Sequence, residues 1–227
     1  QAMTNRLEAA LRAIPGVEIL GPQNVPRIGV FSFNIRVAGK LLHHNYVVAL
    51  LNDLFGIQAR GGCSCAGPYG HALLGIDDAT AECHERAVEL GHSAFRPGWA
   101  RLGVNWFFDD TDTDRIAAAL ALISERGLDL LPYYRLDLTA GVWRAQRKIE
   151  DKAVGSLSDL WNAQDRPQDT APTFEGCLNY ARDLADAAAA LPGAPPLEML
   201  PEEETLRWFW MPHDIAPSTQ PNQEPAL

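Results

Sequence analysis

Apolar positions in the first part of the chain follow first a helical and then a strand spacing. Leu7, Leu11 and Ile14 recur at intervals of three or four residues, which predicts an amphipathic helix over residues 4–14. Residues 28–35 instead alternate apolar side chains with small or polar ones. That alternation indicates a strand with one buried face.

Helical and strand patterns continue to alternate as far as residue 126. The further predicted elements are an edge strand at 17–20, a helix over 47–55 ended by Gly56, a short strand at 57–60, a helix over 78–92, a strand over 100–108 and a helix over 112–126. Aspartates at 109, 110 and 112 suit the start of the last helix. This order predicts an α+β fold, with helices on one face of a small, mostly antiparallel sheet.

The pattern changes after Gly127, where we expect a C-terminal helical extension. The elements predicted there are a hairpin over 132–146, a polar linker over 165–172, a helix over 174–191 and a short helix over 201–211 that carries three aromatic residues. The proline-rich end predicts a disordered tail. We therefore divide the chain into a small domain over 1–127, an extension over 128–211 and a tail over 212–227.

Composition narrows the class of protein. The chain has 227 residues, 47% of them hydrophobic, and a formal net charge of −10. That charge, with no basic patch, argues against nucleic-acid binding, and no apolar run approaches the ~20 residues of a membrane span. Four cysteines do not make a disulfide scaffold in a chain of this length. With no apolar leader at the N-terminus, we expect a cytoplasmic protein.

The candidate chemistry lies in the glycine-rich stretch 59–70. Cys63 and Cys65 stand one residue apart there, after Arg60 and just before a predicted helix start. Positive charge and a helix N-terminus favour the thiolate, which is the nucleophilic form of cysteine. Cys65 is therefore a candidate nucleophile, with a structural thiol as the alternative. Cys63 is either an auxiliary thiol or simply a small loop residue.

Residues 57–101 resemble the C-terminal small domain of the class V aminotransferase family. Arg60, Gly62 and Cys65 match the Arg-x-Gly-x-x-Cys loop of its cysteine desulfurase and selenocysteine lyase branch. The segment Phe31-Ser32-Phe33-Asn34 is similar to the strand that opens this domain, and Arg101 takes the place of a substrate-binding arginine. Enzymes of the family are homodimers of fold type I that use pyridoxal phosphate (PLP).

The resemblance, which covers roughly residues 4–127, implies roles for three side chains. Cys65 would attack the sulfur or selenium of a cysteine-like amino acid, and Arg101, with Arg60 nearby, would hold the substrate carboxylate. The products would be alanine and a persulfide on Cys65. Transaminase or other lyase chemistry also stays open, since the family includes both.

Three departures from the family pattern limit this expectation. Cys63 and Ser64 stand where the branch usually has histidines, and 35 residues (66–100) separate Cys65 from Arg101. The third departure is that the family's large domain has no counterpart in this sequence. PLP needs a lysine that holds its aldehyde. Lys40, Lys148 and Lys152 do not follow a histidine, as the family's lysine does. We therefore expect a truncated, split or excised C-terminal portion that binds no PLP alone, is inactive without a separate N-terminal PLP-domain chain, and forms a dimer.

Two other interpretations remain. The first is a non-catalytic binding or assembly module. The second is a zinc site built from Cys63, Cys65, His71 and either Cys83 or His84. Zinc ligands are usually separated by two to four residues, so the Cys-x-Cys spacing disfavours zinc, and we predict no metal site.

Structural roles, without chemistry, are expected for the remaining notable residues. His43 and His44 are assigned to a helix start or an interface. The run 106–108 (Trp-Phe-Phe) is assigned to a buried strand, and glutamates 202–204 to a solvated helix face.

Overall fold

The computed structural model of this protein describes residues 1–62, 67–146 and 172–215. Within these ranges the helices are α1 (Ala2–Ala13), α2 (His44–Phe55), α3 (Gly67–Leu74), α4 (Asp78–Glu89), α5 (Asp110–Arg126), α6 (Phe174–Ala188) and α7 (Pro201–Leu206). The strands are β1 (Val17–Ile19), β2 (Val30–Val37), β3 (Lys40–Leu41), β4 (Arg60–Gly62), β5 (Trp99–Gly103), β6 (Tyr134–Asp137) and β7 (Val142–Ala145). The order of elements predicted from the sequence is therefore largely confirmed.

The main sheet is small and antiparallel. Its strands lie in the order β1-β2-β5-β4, and β3 also pairs with β2. In the register, Val17 faces Ile35, Ser32 faces Arg101, and Arg60 faces Arg101 from the other side. Strands β6 and β7 form a separate antiparallel hairpin. This architecture confirms the predicted α+β fold class.

The hydrophobic core lies between the main sheet and helices α1, α2 and α5. Strand β2 contributes Phe31, Phe33 and Ile35, all fully buried, as its alternating sequence predicts. The same core continues into the C-terminal extension, where Leu131 and Phe209 are fully buried. The extension therefore packs as part of the core.

Helix ends follow their predicted signals. Gly56 ends α2 with φ of 65°, a left-handed conformation that glycine adopts without strain. Asp109 and Asp112 form a reciprocal capping box at the start of α5. His43 caps α2, because its ring accepts a hydrogen bond from the Asn45 N–H. The predicted helix-start role of His43 is confirmed.

Two strand boundaries differ from the prediction. Strand β4 covers 60–62 instead of 57–60, because Gly61 and Gly62 complete the ladder with β5. Strand β5 ends at Gly103, opposite the first residue of β2. The Val104 N–H still donates to the Gly29 carbonyl at 2.6 Å, but residues 106 and 107 form a turn. Trp106 and Phe107 are consequently 94% and 62% exposed, and their assignment to a buried strand is wrong.

The C-terminal segment also departs from the prediction. Helix α7 ends at Leu206, and Trp208 to Trp210 run in extended form beside β3. The backbone N–H of Trp210 donates to the Leu41 carbonyl at 3.1 Å. Pro212–Asp214 forms a short 3₁₀ turn with Pro212 buried, so the predicted tail begins too early. Residues 147–171 and 216–227 lie outside the described residues.

Glu203 corrects the assignment of residues 202–204. It is only 3% exposed, and its carboxylate bonds to the His92 ring. Its other oxygen accepts the Leu200 N–H at 2.9 Å. The solvated face predicted for this short helix therefore excludes Glu203.

Among the described helices, none has the length and apolar content needed to cross a membrane.

Candidate functional site

A cleft of about 1320 Å³ opens between the sheet, helix α2 and the β6–β7 hairpin. One face of α2 forms its side, with Asn45, Val48, Ala49 and Asn52 at helical spacing. The sheet contributes Arg60 and Arg101, and β7 forms the remaining wall. Both arginines singled out from the sequence therefore lie in one cleft.

Arg60 and Arg101 face each other directly on β4 and β5. Side chains of directly opposed residues project from the same face of a sheet, with Cβ atoms about 5 Å apart. Arg60 is exposed and Arg101 is half-buried. Among the described residues, neither guanidinium has a hydrogen bond or an ion pair. Two like charges in this position repel each other, and an anion bound between them would relieve the repulsion.

Glycine fixes the local path of β4. A Cβ at Gly61 would lie 2.2 Å from Asn45 Oδ1 and 3.0 Å from His44 Cδ2, so β4 lies close against the start of α2. Gly62 has φ of +126°, which L side chains rarely adopt. A side chain at 61 would therefore displace Asn45, and one at 62 would strain the backbone.

Asn45 contacts two walls of the cleft. Its side-chain amide donates to the Gly141 carbonyl at 2.7 Å in the hairpin turn. Its Oδ1 lies on the Gly61 side, so one residue contacts both β4 and the hairpin. This contact holds the hairpin wall in place beside the arginines.

The histidines beside the cleft are uncharged at neutral pH. Burial lowers the pKa of His43 to about 4, and the Ala94 carbonyl, 3.1 Å from Nε2, raises it only in part. Burial, followed by the neighbouring His43, lowers the pKa of His44 well below its ordinary value. Both rings stack with Trp208. Among the described residues that line the cleft, positive charge therefore comes from arginine alone.

The only carboxylate among the described residues that line the cleft is Asp53. It accepts a hydrogen bond from the Tyr134 hydroxyl at 3.0 Å. Burial and the Asp53 charge raise the pKa of Tyr134, so the hydroxyl stays protonated and donates. Within the described part of the chain, Asp53 forms no ion pair with Arg60 or Arg101, and its carboxylate is instead hydrogen-bonded to Tyr134.

The structure gives less information on the candidate thiols than on the arginines. Cys63 and Cys65 lie outside the described residues, directly after β4. Cys83 is exposed on α4, and Cys177 is half-buried on α6. The structure therefore gives a position for the arginines of the predicted site but none for its nucleophile.

A second, smaller cleft of about 310 Å³ is lined by His71 and His84, among others. These two belong to the zinc alternative, whose cysteines 63 and 65 fall outside the described residues. Within the described ranges, no group of three or more His, Cys, Asp or Glu side chains is placed to hold a metal ion. Burial lowers the pKa of His84, which is consistent with a neutral core histidine.

The described lysine does not fit the role of a PLP carrier. The Lys40 ammonium lies 5.4 Å from the centre of the Trp210 ring, on β3 and outside the cleft lining. Lys148 and Lys152 lie outside the described residues. No described side chain therefore accounts for covalent attachment of this cofactor.

The chain was compared with protein-family models, with curated proteins and with solved structures. No match was found in any of the three. The family resemblance thus stays a prediction that rests on Arg60, Gly62, Cys65 and Arg101.

Sequence reasoning overlooked the third wall of the cleft. Residues 142–145 of β7 line it, and they include Arg144. The hairpin itself was predicted and is confirmed, but no role was assigned to it. Its alternation of buried Trp143 with exposed Arg144 is visible in the sequence, whereas its position beside Arg60 depends on tertiary packing.

Proposed function

We propose that this chain is the carboxylate-binding and thiol-bearing C-terminal portion of a PLP-dependent enzyme of the cysteine desulfurase or selenocysteine lyase type. The cofactor and its lysine would be supplied by a separate N-terminal PLP-domain portion, and the chain would be inactive without it. The substrate would be a cysteine-like amino acid. The observation that carries the proposal is the Arg60–Arg101 pair in the cleft, which has no carboxylate partner within the described ranges.

The arginine pair supports binding of a substrate carboxylate. Arg60 and Arg101 are directly opposed and line the same cleft without carboxylate partners among the described residues. Guanidinium groups bind carboxylates in a planar, bidentate manner. A carboxylate between the two strands would replace their mutual repulsion with two charge-assisted contacts.

The proposed nucleophile is Cys65, which follows β4 by three residues. Its thiolate forms a bond to the sulfur or selenium of the substrate, while the bond from that atom to the substrate's β-carbon breaks. The β-carbon takes up a proton, so cysteine and the thiol yield alanine and a persulfide. When bound, PLP supplies the electron sink for this cleavage.

Exposed apolar side chains that are close in sequence to cleft-lining residues support a partner at this surface. Val30 and Gly103 line the cleft. Close to them along the chain, Ile28, Trp106 and Phe107 are 78%, 94% and 62% exposed. Apolar surface of this kind marks sites of protein association. We expect a PLP-bearing portion, or a second copy of the chain, to cover it.

The decisive experiment reconstitutes the enzyme. The reading frame that adjoins or continues into this chain would be located, and the portion carrying a His-Lys pair would be co-expressed with it. On addition of PLP and L-cysteine, we expect alanine to form and mass spectrometry to find one extra sulfur on Cys65. Arg101→Gln should lower the rate at low L-cysteine by about tenfold or more, the scale of a charge-assisted carboxylate contact.

Two control variants make the result specific. Cys65→Ser should abolish the persulfide, whereas Cys83→Ser should leave it intact, since Cys83 is an exposed thiol on α4. An inert but correctly assembled complex would instead favour the binding or assembly module. Alanine formation without sulfur transfer to Cys65 would point to another class V reaction.

A further inference from the structure

The β6–β7 hairpin is a fixed part of the cleft. Its turn is held by Asn45, and the Ala94 N–H donates to the Leu138 carbonyl at 3.0 Å. On its inner face, Trp143 is buried and contacts the Tyr46 ring, with 4.8 Å between centroids. Since the hairpin is anchored at its turn and along its inner face, its side chains keep a defined position relative to the sheet.

The hairpin carries a second pair of opposed arginines. Arg135 faces Arg144 in the ladder, on the side away from buried Leu136 and Trp143. The Arg144 side chain is 67% exposed and forms a long ion pair with Asp137, with 4.0 Å between Nη1 and Oδ2. Arg144 lines the cleft that holds Arg60 and Arg101. Arginines from two separate sheets therefore line the cleft.

The charge of the cleft contrasts with that of the whole chain. The net charge is −10, yet the described cleft lining has three arginines against one carboxylate. That carboxylate, Asp53, already accepts a hydrogen bond from Tyr134. A concave surface lined by one sign of charge concentrates counter-ions of the other sign. A single carboxylate on the Arg60–Arg101 pair would still leave Arg144 with only its long, exposed ion pair to Asp137 among the described residues.

We infer that the cleft binds a small molecule with two anionic groups, one on the Arg60–Arg101 pair and the other on Arg144. Arg144 then determines specificity, because it favours a dianionic ligand over a monoanionic one. The inference rests on the proposed function in taking the sheet arginines as the carboxylate site. It adds the substrate class: an acid that carries a second negative group.

Binding to the intact chain tests this without the cofactor. Calorimetry at low ionic strength would compare succinate with butyrate, which have four carbons each but two charges and one. We expect succinate to bind about fivefold or more tightly, since a second charge-assisted contact is available to it. Arg144→Gln should lower succinate affinity by about fivefold and butyrate affinity by less than twofold, whereas Arg101→Gln should weaken both.

Arg182→Gln is the matched control, because Arg182 is a half-exposed arginine on α6 outside the cleft lining. It should leave both affinities unchanged, and thermal unfolding would establish that every variant is folded.

Equal affinities for the two acids, equal losses for both in Arg144→Gln, or no measurable succinate binding would each overturn the inference. An Arg144-dependent succinate preference without sulfur transfer to Cys65 in the reconstituted enzyme would leave the anion site standing and remove the proposed function. Sulfur transfer to Cys65 without a succinate preference would support the proposed function and overturn the inference of a second anion site.

Discussion

Arginines in two regions of this molecule have opposite surroundings. Arg207, beside β3, has a side chain only 4% exposed, donates to Asp214 at 3.0 Å and to the Phe209 carbonyl at 2.9 Å, and also bonds to Glu204. Arg60 and Arg101, at the β4–β5 edge, face each other in the ladder and have no such partners among the described residues. One region satisfies its charge internally, and the other leaves its charge available.

The difference distinguishes a structural role from a binding role. Burial lowers the pKa of Arg207, but its bonds to Glu204 and Asp214 outweigh burial, so the pKa is raised on balance. The group is part of the fold, and removing it leaves carboxylates unpaired. An opposed arginine pair without carboxylates costs stability instead, which is the pattern expected where a ligand supplies the counter-charge.

The largest predicted effect is on the structural side. Arg207→Met should lower the free energy of unfolding by about 3 kcal/mol or more, because it leaves mostly buried Asp214 without its partner. Urea unfolding would measure this. Arg36→Met is the matched control, since the Arg36–Glu18 pair is about half exposed, and it should cost under about 1 kcal/mol. Similar losses in the two variants would refute the contrast.

The second prediction concerns pH and the buried histidines that stack with Trp208. The pKa of His43 is about 4 in the folded chain against an ordinary 6.5. The unfolded chain therefore binds more protons between these values, so stability is complete above pH 6.5 and falls as the pH drops to about 4. The total loss should be about 3 kcal/mol, at 1.36 kcal/mol per pKa unit.

A cap-preserving variant isolates this contribution. Asparagine is a good N-cap, so His43→Asn should retain the start of α2 while removing the titrating ring. Its unfolding free energy should depend less on pH over this range than that of the wild type. His44 should still contribute in the same direction, because its pKa is also lowered. Parallel pH profiles for the two proteins would count against the assignment to His43.

Local signals in the sequence account for most of the fold. The alternation in β2, the Asp109 capping box and Gly56 each act within a few residues, so the elements they specify are found where expected. Predictions were wrong where a partner far along the chain decides the outcome. Strand β5 ends where β2 begins, and Glu203 is buried because His92, 111 residues away, bonds to it.

The candidate site was also predictable only where local sequence signals specify it. Arg60 and Arg101 belong to a sequence motif, and they are paired in the ladder and line one cleft. Arg144 carries no motif, and its place in the cleft follows from the hairpin docking on α2 through Asn45. Such a contact between distant segments cannot be deduced from periodicity.

The third prediction tests how the cleft edge is positioned. A Cβ at Gly98 would lie 2.6 Å from a backbone carbon of Gly62, so Gly98→Ala must push β4 away. We expect a loss of about 1–3 kcal/mol in unfolding free energy, typical of overpacking. Gly103→Ala is the matched control on β5, where the nearest atom is 3.8 Å away. It should be close to neutral, and equal effects in the two variants would contradict this account of β4.

The smallest predicted effect is a gain in stability on the cleft side. Arg101→Gln should raise the unfolding free energy by about 0.2–1 kcal/mol at low salt, because it ends the repulsion between directly opposed like charges. Arg60→Gln should do the same, and the double variant should gain no more than either, since one substitution already removes the shared term. Added salt should shrink the gain through screening. Destabilisation by either single variant would mean that these arginines, like Arg207, serve the fold.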